Sequence, residues 1–314
     1  MLVEEKKFKE LVLYAAIISG DLFGFVIPSQ GLLFAPYVAQ ILMALIFLTS
    51  LRIEVAHVLS DFRKPKAILW GVALCFGLAP LAAVLAGTLA PLAPMTLLGA
   101  VLYFSAPAAS GTAFFSDVLR GKPSLGLSIS AVTLLLSIIA VPALVYLIAG
   151  SVVEIDALKI VATLAQVILL PFALAVLSRK HFKKATNALL GQSFNLSAFL
   201  IFLVNFAFVA AGYQEIAKDF QGFIYTSLLM GALVGLSYAA AYYAAKLLGF
   251  EKSERVTLTI STAVKNGGIG LIVALAAFGT APLPALIAGG VFNVLLLIPF
   301  GIILGAREAR GRKE

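Results

Sequence analysis

The sequence predicts an all-α integral membrane protein with ten transmembrane helices in two inverted five-helix repeats. Three observations predict it. Of the 314 residues, 61% are hydrophobic and 12% charged, against about 45–50% apolar and about 25% charged in a soluble domain. Two stretches, 67–116 and 256–306, together contain one Asp, Glu, Lys or Arg, which is Lys265. Each is long enough for two spans of about 20 residues. The third observation is the sorting of basic residues between loops.

The helices follow in order. The first, 10–27, comes after a Met1–Lys9 segment of mixed charge that lacks the short apolar core and cleavage site of a signal peptide. The second, 33–51, ends at Arg52. The third and fourth, 66–88 and 92–119, are divided by Gly87-Thr88-Leu89-Ala90-Pro91. The fifth, 124–150, runs to the acidic Glu154-Ile155-Asp156 loop. Helices 157–178, 186–212 and 221–247 follow, and then 254–278 and 281–306 meet near Gly279-Thr280-Ala281-Pro282. Nothing remains for a soluble domain, so residues 1–314 read as a single transmembrane domain.

With this helix count, 20 of the 23 Lys and Arg fall on one side. They are Lys6, Lys7 and Lys9; Arg52, Arg63, Lys64 and Lys66; Arg120 and Lys122; Arg179, Lys180, Lys183 and Lys184; Lys246, Lys252 and Arg255; and Arg307, Arg310, Arg312 and Lys313. The opposite side receives Lys159 and Lys218, and Lys265 lies inside a span. The positive-inside rule then predicts a multi-pass protein of the cell membrane with both termini cytoplasmic. It also accounts for the net charge of +8 without a nucleic acid, and leaves lipid as the partner of the basic edge.

Other chemistries are poorly supplied. Cys75 is the single cysteine, and His57 and His181 are far apart in sequence. No metal cluster, paired carboxylates or Ser–His arrangement points to an enzyme, and no phosphate-binding loop of the Gly-x-x-x-x-Gly-Lys type points to an ATP-driven pump.

Five helices in each half force the halves, 8–150 and 154–306, to enter the membrane from opposite sides, as in many secondary transporters. The fourth helix of each half is interrupted. Ser105-Ala106-Pro107-Ala108-Ala109-Ser110-Gly111-Thr112 breaks helix 4, and Ser261-Thr262-Ala263-Val264-Lys265-Asn266-Gly267-Gly268 breaks helix 9. Proline removes a donor and each glycine weakens the helix by about 1 kcal/mol. Matched breaks at membrane depth line a cavity. Pro107, Ser110, Gly111, Thr112, Lys265, Asn266, Gly267 and Gly268 are therefore the expected substrate site, with unwinding at Pro107–Gly111 and Lys265–Gly268.

These same residues resemble the bile acid:sodium symporter family. Pro107 to Ala113, leading through Asp117-Val118-Leu119-Arg120-Gly121, is similar to that family's fourth and fifth helices. Leu258 to Gly268 is similar to its ninth, and Pro36-Tyr37 through Asp61-Phe62-Arg63-Lys64-Pro65-Lys66 to its second helix and the loop that follows. The auxin-efflux-carrier type shares the general plan. The resemblance implies that the broken helices 4 and 9 cross in a core domain, that helices 1, 2, 6 and 7 form a panel, and that an organic anion moves between them by alternating access. Sodium-using relatives carry a Glu and a Gln in the ninth-helix break, where this sequence has Ser261 and Lys265. A Ser-Asn pair after the fourth-helix break reads Thr112-Ala113 here. On the fifth helix a Ser position reads Gly126 and a Thr position reads Ser130, while Asn266 is kept.

Lost oxygen ligands and an added cation predict sodium independence, with the Lys265 ammonium in the ion's place. A lysine at a helix centre costs about 2.5–3.5 kcal/mol to insert, so Lys265 is expected to be functional, with a proton as the candidate coupling ion; the other reading is a structural lysine that donates to the unwound carbonyls of helix 4 or 9. Asp21 in helix 1 is a second candidate, either facing the cavity and pairing with Lys265 or hydrated near an interface. Asn195, Asn205, Gln40, Gln166 and Asn293 line the cavity or bond between helices, and the Phe199–Phe208 stretch faces lipid or packs. The alternatives are a sodium-coupled symporter, an auxin-type exporter and a non-transporting sensor. No cofactor is expected, and solute identity and oligomeric state are left open.

Overall fold

The computed structural model describes residues 2–52, 65–90 and 92–311. The expected loop Asp61-Phe62-Arg63-Lys64, together with Arg312 and Lys313, lies outside the described residues. Helices make up the described chain: α1 (Leu2–Val26), α2 (Val38–Ser50, after a short turn at Pro28–Leu32), α3 (Pro65–Ala73, a π turn at Leu74–Leu78, then Ala79–Leu89), α4a (Pro94–Ser105), α4b (Thr112–Val118) and α5 (Pro123–Ala149). The second half contains α6 (Ala157–His181), α7 (Lys183–Lys218), α8 (Phe220–Leu247), α9a (Lys252–Ala263), α9b (Gly267–Ala277) and α10 (Leu283–Leu295, continued by Leu297–Gly311). Among the described residues, seven helices are long and apolar enough to cross a membrane. The apolar Leu11–Val26 part of α1 and the broken pairs α4a/α4b and α9a/α9b complete ten spans.

Several bounds differ from the sequence reading, with α7 running to Lys218 rather than 212 and α10 to Gly311 rather than 306. Helix 1 starts at Leu2 rather than 10, because its mixed charges extend a helix as readily as they end one. Helix 2 begins at Val38, since Pro36 has no N–H to continue the turn before it.

The helices form two layers. In one, α1 lies along α7 and α6 lies along α2, with α2 also against α7. In the other, α8 packs on α9a and α10, while α3 and α5 pack on α4a, and α4a also meets α10. Pairings recur between the halves: α1 with α7 corresponds to α6 with α2, and α3 with α4a to α8 with α9a.

Contacts between the layers differ at the two ends. Near Arg52, rings touch across the gap: Phe114 of α4b and Phe194 of α7 have centroids 6.2 Å apart, and Tyr14 and Phe115 6.0 Å apart. At the other end, Thr280 donates to the Glu215 carboxylate at 3.1 Å. There Gly212 of α7 lies so close to α10 that an added Cβ would stand 2.5 Å from Ile287 and 3.2 Å from Leu283.

Close approach of α4a to α10 depends on Gly99, where a Cβ would meet the Pro282 carbonyl oxygen at 2.2 Å and Ala285 at 2.9 Å. Backbone cannot swing aside, so Gly99→Ala should destabilise by about 1–3 kcal/mol, the usual cost of overpacking. Gly191→Ala on exposed α7, with nothing within 4 Å, should be neutral or stabilising by up to about 1 kcal/mol. Thermal melts of the two purified variants check both; an unchanged melting temperature for Gly99→Ala would show that the α4a–α10 contact is looser than described.

Candidate functional site

The broken helices meet at their unwound segments. The Ala109 amide donates to the Val264 carbonyl at 2.9 Å, and the Asn266 amide to the Pro107 carbonyl at 2.9 Å. Ala108 and Lys265 thereby form an isolated antiparallel bridge. Unpaired backbone in a membrane costs several kcal/mol per group, and each break supplies partners to the other. Flanking side chains satisfy more: the Asn293 amide donates to the Lys265 carbonyl at 3.0 Å. Thr112 and Ser130 hydroxyls both donate to the Ala109 carbonyl, at 2.7 and 3.0 Å.

Lys265 is 2% exposed. Its ammonium donates to the Cys75 carbonyl at 2.8 Å, the Ala106 carbonyl at 3.1 Å and the Cys75 sulfur at 3.2 Å. Local sequence explains the first acceptor. In the π turn of α3 the Ala79 amide reaches back to Leu74, and the next residue, Pro80, has no N–H. The Cys75 carbonyl is thus left without a donor in its own helix. Ala106 is the C-terminal cap of α4a, whose carbonyls carry the negative end of the helix dipole. Lys265 closes both ends of this gap.

Between the layers, against the crossover, is a cavity of about 150 Å³ lined by Ser110, Gly111, Lys265, Asn266, Gly267, Gly268 and Asn293 on one wall. Leu13, Ile17, Leu42, Leu45, Val204, Asn205 and Phe208 form the opposite, mostly apolar wall. An adjoining cavity of about 110 Å³ shares Leu13, Leu45, Ser110, Gly111 and Ile201 with it and extends to Thr49, Arg52, Ala113 and Ser197. A third, of about 20 Å³, touches Ser50, Ser110, Ser130 and Asn266.

Of the eight residues expected to form the substrate site, six therefore share one cavity, together with Asn205 and Asn293. Pro107 contributes its carbonyl to the crossing, and Thr112 is fully buried behind it. Ser261 is buried and donates within α9a at 2.8 Å, while Gly126 packs against Ala113 and Ser116.

Several expectations need correction. The unwound part of helix 9 is Val264–Asn266, and Gly267 and Gly268 already belong to α9b, because Asn266 ends the extended segment and caps the helix. The Lys265 backbone lines the cavity, but its ammonium turns to the far side, toward α3. Asp21 and Lys265 are not paired here: Lys265 has all three donors engaged, and Asp21 lines none of the three cavities. Asn195, Gln40 and Gln166 are exposed on the outer surface. Phe208 belongs to the cavity wall. Sequence reasoning passed over Cys75 as an isolated cysteine and treated Arg52 as an orientation signal only. Pro80 beside Cys75 was the available signal for the first; Thr49 one turn before Arg52 was a weaker one for the second.

Two broken helices crossing at membrane depth, backed by a second helical layer with a cavity between, define a membrane transporter rather than an enzyme. The chain belongs to the SBF-like CPA transporter family, whose family model matches residues 11–297, in agreement with the bile acid:sodium symporter resemblance. It is 24% identical over 221 residues to the uncharacterized protein YbaS of Bacillus subtilis (strain 168), covering 69% of this chain and 71% of YbaS. It is also 24% identical over 246 residues to the probable sodium/metabolite cotransporter BASS1, chloroplastic, of Arabidopsis thaliana, covering 76% of this chain but 59% of that protein. A likeness of 24% over 188 residues to the probable sodium/metabolite cotransporter BASS2, chloroplastic, of rice (Oryza sativa subsp. japonica) covers 60% of this chain and 44% of the relative. The protein is a multi-pass membrane transporter of a small molecule.

Removing the ammonium strands the Cys75 and Ala106 carbonyls in the interior, at about 1–3 kcal/mol for each unsatisfied group. Lys265→Met should therefore cost about 2–5 kcal/mol and lower the melting temperature of the purified protein. Cys75→Ala, which keeps the carbonyl, should cost about 1 kcal/mol. Equal effects of the two variants would show that the sulfur, not the carbonyl pair, holds the ammonium.

Proposed function

We propose that the protein is a secondary transporter that moves a small organic anion through the cavity between its two layers, independently of sodium. One observation carries this reading. At the position where the resemblance puts a sodium ligand, Lys265 places a buried ammonium already bonded to the crossover. A sodium ion beside it would meet a like charge. Neighbouring positions support the same conclusion: Ser261 and Ala113 stand where the resemblance puts a Glu and an Asn, so a carboxylate and a side-chain amide oxygen are missing.

The lining favours an anion. Among the described residues no Asp or Glu lines any of the three cavities. The N-terminus of α9b faces the largest of them through Gly267 and Gly268, where the helix dipole is positive. The Gly268 amide has no acceptor among the described residues. α4b is only Thr112–Val118, less than two turns, and contributes little of this kind. The modest size of the cavities suits a solute well below drug size.

In this reading both termini are cytoplasmic in a cell membrane, which the loop charges support, and residues 8–150 and 154–306 act as the two repeats that alternate access. A proton is the coupling ion in this reading, carried by Lys265, because lysine releases a proton where arginine does not. Its loss would take donors from Cys75 and Ala106 and loosen the crossing. Asp21, one turn along α1 from the cavity-lining Ile17, is the second candidate carrier.

Uptake of a small carboxylate identified by a thermal-shift screen, measured in proteoliposomes, tests the reading. Uptake should be the same in sodium and potassium media of equal ionic strength, and should respond to a pH gradient. That response should vanish in Lys265→Arg, while Asp21→Asn reports on the second carrier. Sodium-stimulated uptake by the wild type overturns the proposal. The triple change Ser261→Glu, Ala113→Asn and Lys265→Gln should instead introduce sodium stimulation, seen as faster uptake in sodium than in potassium.

A further inference from the structure

The cavity next to the crossover contains a feature that the crossover does not explain. Arg52, just past the end of α2, lines the 110 Å³ cavity between the layers, whereas the Lys265 ammonium is turned toward α3. Its guanidinium is held from one edge: Nε and Nη2 donate to the Ser193 hydroxyl at 3.3 and 2.9 Å, and Ser193 is anchored in turn to the Leu190 carbonyl at 2.8 Å. The Nη1 group has no protein acceptor among the described residues. One turn along α7 from Ser193, on the same face, is Ser197. It is 8% exposed and lines the same cavity, and its hydroxyl has no hydrogen-bond partner. A buried hydroxyl without a partner costs free energy, and here it stands beside an oriented guanidinium.

We propose that Arg52 and Ser197 form a second anion subsite in the 110 Å³ cavity, a waiting position for the carboxylate of the transported solute on the basic side of the crossover. It rests on the reading of the protein as an organic-anion transporter and adds a station to it. A carboxylate accepts well from the planar guanidinium fork, and its second oxygen reaches the Ser197 hydroxyl. Ser110 and Gly111 line this cavity and the one at the crossover alike, so a carboxylate leaving Arg52 passes the Ser110 hydroxyl on its way to the Gly268 end of α9b. Arg52 and Ser197 both belong to the layer of α2 and α7, whereas Gly268 and Asn293 belong to the other. The solute thus passes from one moving body to the other.

Hexanoate and the neutral hexanamide, titrated calorimetrically into detergent-purified protein, test the subsite. Arg52→Gln should weaken hexanoate about tenfold or more and leave hexanamide unchanged, which also shows that the variant is folded. Arg52→Lys, with the charge but not the fork, should lose about threefold, as should Ser197→Ala, and raising salt should weaken wild type more than Arg52→Gln. Gly268→Leu, which fills the crossover end, separates the two claims. If Gly268→Leu abolishes hexanoate binding and Arg52→Gln binds as wild type, the subsite is wrong and the crossover reading stands. If hexanoate and hexanamide bind the wild type equally, both are wrong. Stabilisation of the wild type, but not Arg52→Gln, by phosphatidylglycerol with no effect of hexanoate would make Arg52 a lipid contact and overturn the subsite.

Discussion

Peptide groups that leave a helix inside a membrane must find partners there, and this constraint shapes the centre of the molecule. Two interruptions are tolerated because each is the other's acceptor and donor, through Ala109 to Val264 and Asn266 to Pro107. The pairing is short, and it leaves helix ends on both sides. Lys265 covers the Ala106 end, and Asn293, Thr112 and Ser130 cover others. A lysine is otherwise costly at this depth; with three acceptors within 3.2 Å it is a structural cation fixed by a covalent stem. A mobile ion can leave such a place, whereas the lysine nitrogen is tethered there and can change only its charge.

From that centre the two walls of the cavity acquire different characters. The crossover wall exposes amides, a hydroxyl and Asn293, whose side-chain oxygen is buried with no partner. The facing wall of α1, α2 and α7 is mostly leucine, isoleucine, valine and phenylalanine. A solute with a polar head and a short apolar body meets both, and neither layer by itself encloses it. Binding is therefore tied to how the layers sit against one another. The layers also meet where α6 lies on α5 and α9b and where α7 lies on α10, and the contacts differ in kind at the two ends, ring against ring near Arg52 and a hydroxyl–carboxylate bond with a glycine close approach near Thr280.

Much of this was legible in the sequence because a membrane enforces simple rules. Charge-free runs gave the spans, the bases gave their alternation, and Pro107 and the Lys265–Gly268 segment marked both interruptions. What periodicity does not contain is direction. A lysine in a break can point to either side, and only the missing donor at Pro80, in a helix that packs against the break but 185 positions earlier in the chain, turns it toward α3. Polar residues in spans were equally ambiguous: Asn293 and Asn205 reach the cavity while Gln40, Gln166 and Asn195 face outward, and no local signal distinguishes them. Ser197 is a small residue of the kind that packs helices together. Only its neighbours, Ser193 and the Arg52 that Ser193 holds, make it anything more.

The π turn in α3 has a geometric consequence. Its i→i+5 bond from Ala79 to Leu74 accommodates one residue more than an α-helical turn would, so it amounts to an insertion absorbed within a continuous rod. Excising a single residue from Leu74–Leu78 would return the turn to i→i+4 bonding and leave the flanking segments nearly in phase, whereas the same excision from a regular α-helical turn would rotate everything before it by about 100°. Ile68 would stay in the interior and Gly71 would stay seated against Ile129 on α5. The extra residue thus leaves the rotational phase between the two halves of α3 intact, while the wider turn holds a bare carbonyl toward Lys265.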